Sequence, residues 1–282
     1  HVAWWFCQVA GRASPLEQGG LGIGAKVVDK VRFFGITGDK NLMFNNELTP
    51  GSGLFLQIDG KKIIMDPGPG TFCAFNRLYP NMVKQLDAVI LSHVHFDHST
   101  DINVMIEGMT DGGNKKRGKL ITLEFAYEGE SKVIYNYLKS FPQETCLVDR
   151  SPITMLGAVK VEAIEHQHGI PNYGYKFSYD KTCVSIITDT RYFSELSERY
   201  MGSTTMIVNV PYYDFPEGKH PKHLNISDVK DILVKVKPRK VFLTHFGENI
   251  FQHDVYGIAA SLEKELGIEV NVAETGKEFK LI

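Results

Sequence analysis

Apolar and polar positions along the chain follow two alternating periods. Short runs rich in β-branched and aromatic residues predict strands, and the stretches between them, with apolar residues three and four apart, predict helices. Residues 27–36 alternate weakly and predict the first strand. Residues 53–58 and 62–65 predict two more, joined at Asp59-Gly60, a hairpin signal. Residues 71–78 predict a helix stopped before Pro80, 86–91 a strand with a buried, β-branched end, and 101–107 a helix. An amphipathic helix is predicted over 131–139. Strands are predicted at 145–148, 153–156, 159–164, 182–187 and 240–244, and helices at 227–236 and 255–266, the last stopped by Gly267. Residues 269–272 and 278–281 complete the pattern as edge strands. Strands interleaved with helices in this way place the chain in the α/β class.

Residues 11–24 are rich in Gly, with Ser14 and Pro15, and read as a connector. That makes 1–26 an N-terminal extension and leaves 27–282 as the domain. Trp4, Trp5 and Phe6 sit in a short apolar segment without the basic leader of a secretory signal, and are expected to pack on the domain or on a partner subunit. Residues 35–51 form a long, turn-rich loop of the kind that is often functional.

The strand at 86–91 runs into Ser92-His93-Val94-His95-Phe96-Asp97-His98-Ser99, and a helix follows. The stretch therefore sits at the carboxyl end of a strand, where open α/β sheets place their sites. His93 and His95 are two residues apart, so in extended backbone they point the same way and can grip one metal ion. Asp97 and His98 come as the chain turns into the helix and can diverge toward a second ion. Imidazole nitrogen and carboxylate oxygen suit zinc, and also manganese or iron. A further pair, His166 and His168, follows the strand at 159–164, and either can complete the first ligand set.

Composition narrows the picture only slightly. A chain of 282 residues, 43% hydrophobic, can bury a sizeable core. Lys and Arg number 31 against 33 Asp and Glu, for a formal charge of -2, which argues against a surface coated for generic nucleic-acid binding. Cys7, Cys73, Cys146 and Cys183 are widely spaced and form no C-x-x-C pair, so a reducing cytosol, and hence a cytoplasmic location, is the default. No apolar run approaches membrane-spanning length. The loop at 110–119 is Gly-rich and basic; it reads equally as a hand for phosphate or nucleic acid and as a solvated surface loop.

The string from Leu91 to Ser99 resembles the signature of the metallo-β-lactamase-fold hydrolases. The resemblance implies an αββα sandwich, two mixed sheets with helices on the outer faces, and extends from about residue 27 onward. Within that fold the chain looks most similar to the ribonuclease Z and cyclic-phosphate phosphodiesterase group. Asp66-Pro67-Gly68-Pro69-Gly70 resembles the loop that precedes the metal motif, with Asp66 either orienting a ligand imidazole or serving as a plain turn residue. The run from His168 to Tyr175 resembles the segment holding the third histidine, which favours His168 and leaves His166 as a bystander on the same strand face. Asp189, at the end of the strand 182–187, stands where the family has its bridging carboxylate, and His245 resembles the last ligand. The implied set is His93, His95 and His168 on one ion, Asp97, His98 and His245 on the other, and Asp189 between. His223, ahead of the helix at 227–236, resembles the general acid of phosphodiester-cleaving members, with His220 as a nearby control.

The chemistry that follows is hydrolysis. Two divalent ions, zinc by preference, lower the pKa of a shared water, and a bridging hydroxide attacks phosphorus while His223 protonates the leaving oxygen. Asp97 counts both as a ligand and as a catalytic residue. The expected substrate is a small-molecule or nucleotide phosphodiester. A lactone or thioester hydrolase on the same metals and a ribonuclease Z-like RNA endonuclease are the alternatives. The chain lacks the long basic insertion that grips transfer RNA, which turns the expectation toward smaller substrates. A homodimer is the expected form of any self-association.

Overall fold

The computed structural model describes residues 28–39, 42–43 and 51–282. The N-terminal extension at 1–26 lies outside the described residues, as do 40–41 and 44–50 of the loop that follows the first strand.

In chain order the main elements are β1 (Lys30–Phe33), β2 (Leu54–Ile58), β3 (Lys61–Met65), α1 (Thr71–Leu78), β4 (Ala88–Ile90), α2 (Phe96–Ser99) and α3 (Ile102–Met109). There follow β5 (Lys119–Thr122), β6 (Glu144–Leu147), β7 (Ile153–Leu156), β8 (Val159–Glu165), β9 (Tyr173–Tyr179), β10 (Thr182–Ile187) and β11 (Thr205–Asn209). The last are α4 (Ile226–Val236), β12 (Lys240–Thr244), α5 (Val255–Leu266), β13 (Glu269–Val272) and β14 (Glu278–Lys280). The strands form two seven-stranded mixed sheets, β14-β1-β2-β3-β4-β5-β6 and β13-β12-β11-β10-β9-β8-β7.

The two sheets repeat one plan. In the first, β3 to β6 pair in parallel and the rest antiparallel; in the second, β10 to β13 pair in parallel and β7 to β10 antiparallel. One apolar core lies between the sheets, where Phe33, Leu56, Phe177 and Phe242 are buried, and it continues under α1 and α3 through Phe75 and Met105. A second core joins the other sheet to α4 and α5 through Val208, Ile232, Leu243 and Leu262. The αββα layering expected from the sequence is the one observed. Among the described residues no helix is long and apolar enough to cross a membrane.

Local sequence explains the elements that matter for the site. The β2–β3 hairpin turns at Asp59 and Gly60, with φ of 46° and 74°, the two positive values that a type I′ turn demands. Helix α4 starts from a capping box. The Asn225 side chain accepts from the Asp228 N–H at 2.9 Å, and the Asp228 carboxylate accepts from the Asn225 N–H at 3.1 Å. This cap fixes where the chain leaves His223, two residues upstream.

One expectation needs correction. Residues 131–139 are not an α-helix; only a 3₁₀ turn at Asn136–Ser140 forms. Asn103 of α3 competes for the backbone there, donating to the Val133 carbonyl at 2.8 Å and accepting from the Tyr135 N–H at 3.0 Å. The basic loop at 110–119 precedes β5, while the histidine-rich loop follows the parallel strand β4. The two loops therefore lie at opposite ends of the sheet. Lys119 is itself buried in β5 and paired with Glu144 at 2.9 Å, so it is not part of an open anion hand.

Candidate metal centre

The sequence-predicted residues converge at the carboxyl ends of β4, β8, β10 and β12. Asp66, at the end of β3, anchors the loop after β4: its carboxylate accepts from the Ser92 N–H and from the Ser92 hydroxyl, each at 2.7 Å. Ser92 is tied in turn to the second sheet, its carbonyl accepting from the Tyr173 N–H at 3.2 Å. Held in this way, the loop presents His93 and His95 together, with Nε2 of His93 3.1 Å from Nδ1 of His95. His168 reaches in beyond β8, its Nε2 3.2 Å from Nδ1 of His95. The His168 Nδ1–H donates to the Lys222 carbonyl at 2.9 Å, which leaves Nε2 with a free lone pair toward the site.

The second group stands beside the first. Asp97 and His98 lie on the single turn of α2, and His245 directly follows β12. Nε2 of His98 and of His245 are 2.9 Å apart, and Oδ2 of Asp97 is 3.4 Å from each. The His98 Nδ1–H donates to Asp66 at 3.0 Å, so one carboxylate orients both the metal loop and a ring of the second group. Asp66 thus sits where it can orient an imidazole, beyond the role of a turn residue.

Asp189 lies between the groups. Its Oδ2 is 3.7 Å from His93 Nε2 and 3.6 Å from His98 Nε2, and its Oδ1 is 3.4 Å from His245 Nε2. The Asn209 amide donates to Oδ1 at 2.8 Å and fixes its rotamer. Burial pushes the Asp189 carboxyl up, but His245, His223 and His98 outweigh it and hold the group well below the usual carboxylate range. Asp97 behaves alike: burial raises it, and His98 and His245 hold it far down. Burial lowers His98, yet Asp97 and Asp189 raise it well above the ordinary imidazole value. For His93 burial prevails, aided by His98, and its pKa is low.

His245 is held in an unusual way. Its φ is 62°, the left-handed region, and the strip Ile36–Gly38 locks the turn: the Phe246 N–H donates to the Ile36 carbonyl at 2.7 Å, and the Gly38 N–H to the Phe246 carbonyl at 3.1 Å. A Cβ on Gly38 would come within 2.0 Å of His245 Nδ1, so only glycine leaves room for the ring. Gly38→Ala is therefore expected to displace His245 and cost about 10- to 100-fold in metal affinity, as loss of a positioning partner does. Metal titration of the variant checks this, and wild-type affinity would show that the ring has other room.

His166 and His168 part company. The strand β8 stops at Glu165, before both, so they do not share the strand face expected from sequence. His166 turns inward over Gly174 and is buried, its ring nitrogens meeting Thr188 Oγ1 at 3.0 Å and the Tyr200 hydroxyl at 2.8 Å. Burial pushes its pKa down to about 3, so it is a neutral structural imidazole near pH 7.

His223 enters from the loop before α4. Its ring lies 5.0 Å from that of His168 and 6.3 Å from that of His245, and Nδ1 is 3.9 Å from Asp189 Oδ2. That nitrogen is buried and has no hydrogen-bond partner. Burial lowers its pKa to about 4 against the upward pull of Asp189. His220, the control, is exposed and contacts Phe215 instead.

The donor set fits divalent cations. One group is His93, His95, His168 and Asp189, the other Asp97, His98 and His245. Zinc–nitrogen bonds of about 2.0–2.1 Å imply donor atoms about 3.4 Å apart at the edges of a tetrahedron. The observed separations between donor atoms, from 2.9 to 3.7 Å around His93, His98, His245 and the two carboxylates, bracket that length. Imidazole nitrogens facing one another at such distances also need a shared cation or proton to offset their lone pairs.

Sequence reasoning missed the supporting groups: Ser92, Asn209, the Lys222 carbonyl and Gly38. Asn209 had a readable signal, a polar residue closing an apolar strand as Asp189 does, but β11 was not among the predicted strands.

Comparison with known proteins agrees with this geometry. A family model described as Beta-lactamase superfamily domain matches residues 61–246. The chain is 25% identical over 259 residues to the uncharacterized protein MJ1374 of Methanocaldococcus jannaschii, covering 90% of this chain and 95% of that one. It is 23% identical over 264 residues to a Ribonuclease Z of Clostridium beijerinckii, covering 73% of this chain and 85% of the relative. The crystal structure of the metallo-beta-lactamase fold protein YhfI from Bacillus subtilis superposes with a TM-score of 0.73 at 20% identity, over 90% of this chain and all, 100%, of that one.

Proposed function

The chain belongs to the beta-lactamase superfamily, and from that premise we propose that it is a dinuclear metal-dependent phosphodiesterase. The observation that carries the reading is His223. Its free, buried Nδ1 faces Asp189 and lies outside both ligand groups. A thiolate leaving carbon needs no such neighbour, whereas an alkoxide leaving phosphorus needs a proton.

His93, His95 and His168 would hold one ion, Asp97, His98 and His245 the other, with Asp189 facing both. Zinc suits the donors best, manganese or iron next. Bound there, two divalent cations would supply Lewis acidity toward water and toward a phosphoryl oxygen. The protein does the rest. Asp66 and the Lys222 carbonyl set the tautomers of His98 and His168, and Asn209 orients Asp189. Asp97 stays ionised and can accept a hydrogen bond from the attacking water. His223 is neutral in the free protein because burial disfavours its charge; an anionic diester beside it stabilises the proton that it then gives to the leaving oxygen.

Likeness to Ribonuclease Z supports a second reading, an RNA endonuclease. One panel separates the readings: the metal-reconstituted protein is assayed on bis(p-nitrophenyl) phosphate, cyclic nucleotides, RNA, lactones and thioesters. Chelator-sensitive cleavage of the small diesters is expected. Turnover confined to RNA would favour the second reading, and turnover confined to lactones or thioesters would overturn both.

A further inference from the structure

The segment between β11 and α4 carries side chains that neither ligand group uses. Its ends are tied together: Tyr212 bridges Asn225, and the Ile226 N–H donates to the Tyr213 carbonyl at 3.3 Å. Along the loop, rings follow one another outward from His223. Tyr212 lies 6.2 Å from His223, Phe215 lies 5.8 Å from Tyr212 at an interplanar angle of 68°, and His220 lies 6.5 Å from Phe215. Tyr212 and Phe215 are half-buried and, among the described residues, belong to neither hydrophobic core. Lys222 in the same loop donates to the His168 carbonyl at 3.2 Å, which holds the loop against the site.

We propose that Tyr212 and Phe215 form a stacking shelf for a nucleobase carried on the leaving alcohol of the phosphodiester. The inference rests on the phosphodiesterase reading and on His223 as the proton donor. The group that receives the proton is the departing oxygen, so whatever is attached to that oxygen extends past His223 along the rings. Bases stack on such rings with little regard to their identity. Water oxygen bonds to phosphorus and gives up a proton to solvent, the bond from phosphorus to the nucleoside oxygen breaks, and that oxygen takes the His223 proton, which solvent restores.

A mixed diester, thymidine 5′-methyl phosphate, tests the side as well as the shelf. Either ester oxygen can leave, and the two alkoxides are of similar basicity. The metal-loaded protein is expected to release thymidine and methyl phosphate. In Phe215→Ala, kcat/KM for this diester relative to ring-free bis(2,2,2-trifluoroethyl) phosphate is expected to fall about 5- to 100-fold, while Phe215→Trp retains the ratio. Release of thymidine monophosphate and methanol would overturn the side assignment, and an unchanged ratio in Phe215→Ala would overturn the shelf. Failure of the wild-type protein to cleave either diester would overturn the phosphodiesterase reading, and the shelf with it.

Discussion

Asp189→Ala is expected to fold and yet to retain little metal, with turnover at background. The side chain is buried among the imidazoles of both groups, and its two oxygens face different histidines. Two dications at the roughly 3.5–4 Å of a two-metal site repel four times as strongly as two unit charges, and a carboxylate between them offsets that repulsion. Alanine removes the anion and leaves the Asn209 amide facing a void. The loss of affinity should exceed the roughly 10- to 100-fold that loss of a mere orienting partner costs. Elemental analysis after desalting reads the metal content, and circular dichroism checks the fold. Wild-type stoichiometry in a folded variant would reject Asp189 as the bridge. Asp189→Asn, which keeps shape but not charge, should fall between the two.

What the chain disclosed in advance follows from how locally each feature is written. His93, His95, Asp97 and His98 lie within six residues after a strand, so spacing alone gathers them. Asp189 and His245 are isolated residues just past strand ends; nothing near them in sequence marks them, and resemblance to a family singled them out, as it also favoured His168 over His166. Strands such as 182–187 and 240–244 were legible as short apolar runs, while their stacking into a sandwich was implied by the family resemblance. The failures have local causes too. An amphipathic pattern at 131–139 promised a helix, but Asn103, distant in sequence, takes the backbone groups that a helix would use. Alternation placed His166 and His168 on one face, but the strand ends before either, and Tyr200 and Thr188 draw His166 into the core. Gly38 was invisible as a site residue because its value lies in the missing Cβ, which only the position of the His245 ring reveals.

The other large effect belongs to His223. His223→Ala is expected to keep full metal content, because the ring lies outside both ligand groups, and to lose on the order of 10²–10⁴-fold in kcat on alkyl diesters. The size of the loss should track the leaving group. A nitrophenolate departs without a proton, so an acid adds little to its departure, whereas an alkoxide needs the proton in the transition state. Removing the acid should therefore cost little with good leaving groups and most with poor ones, steepening the dependence of rate on leaving-group basicity. His223→Asn offers a hydrogen-bond donor of about the same reach without a titratable proton, and should recover a stabilising contact to a phosphoryl oxygen but not the alkoxide rate. The two variants thus separate proton donation from charge neutralisation. Equal losses on nitrophenyl and alkyl diesters, in protein carrying both ions, would place His223 in binding and remove it from the role of acid.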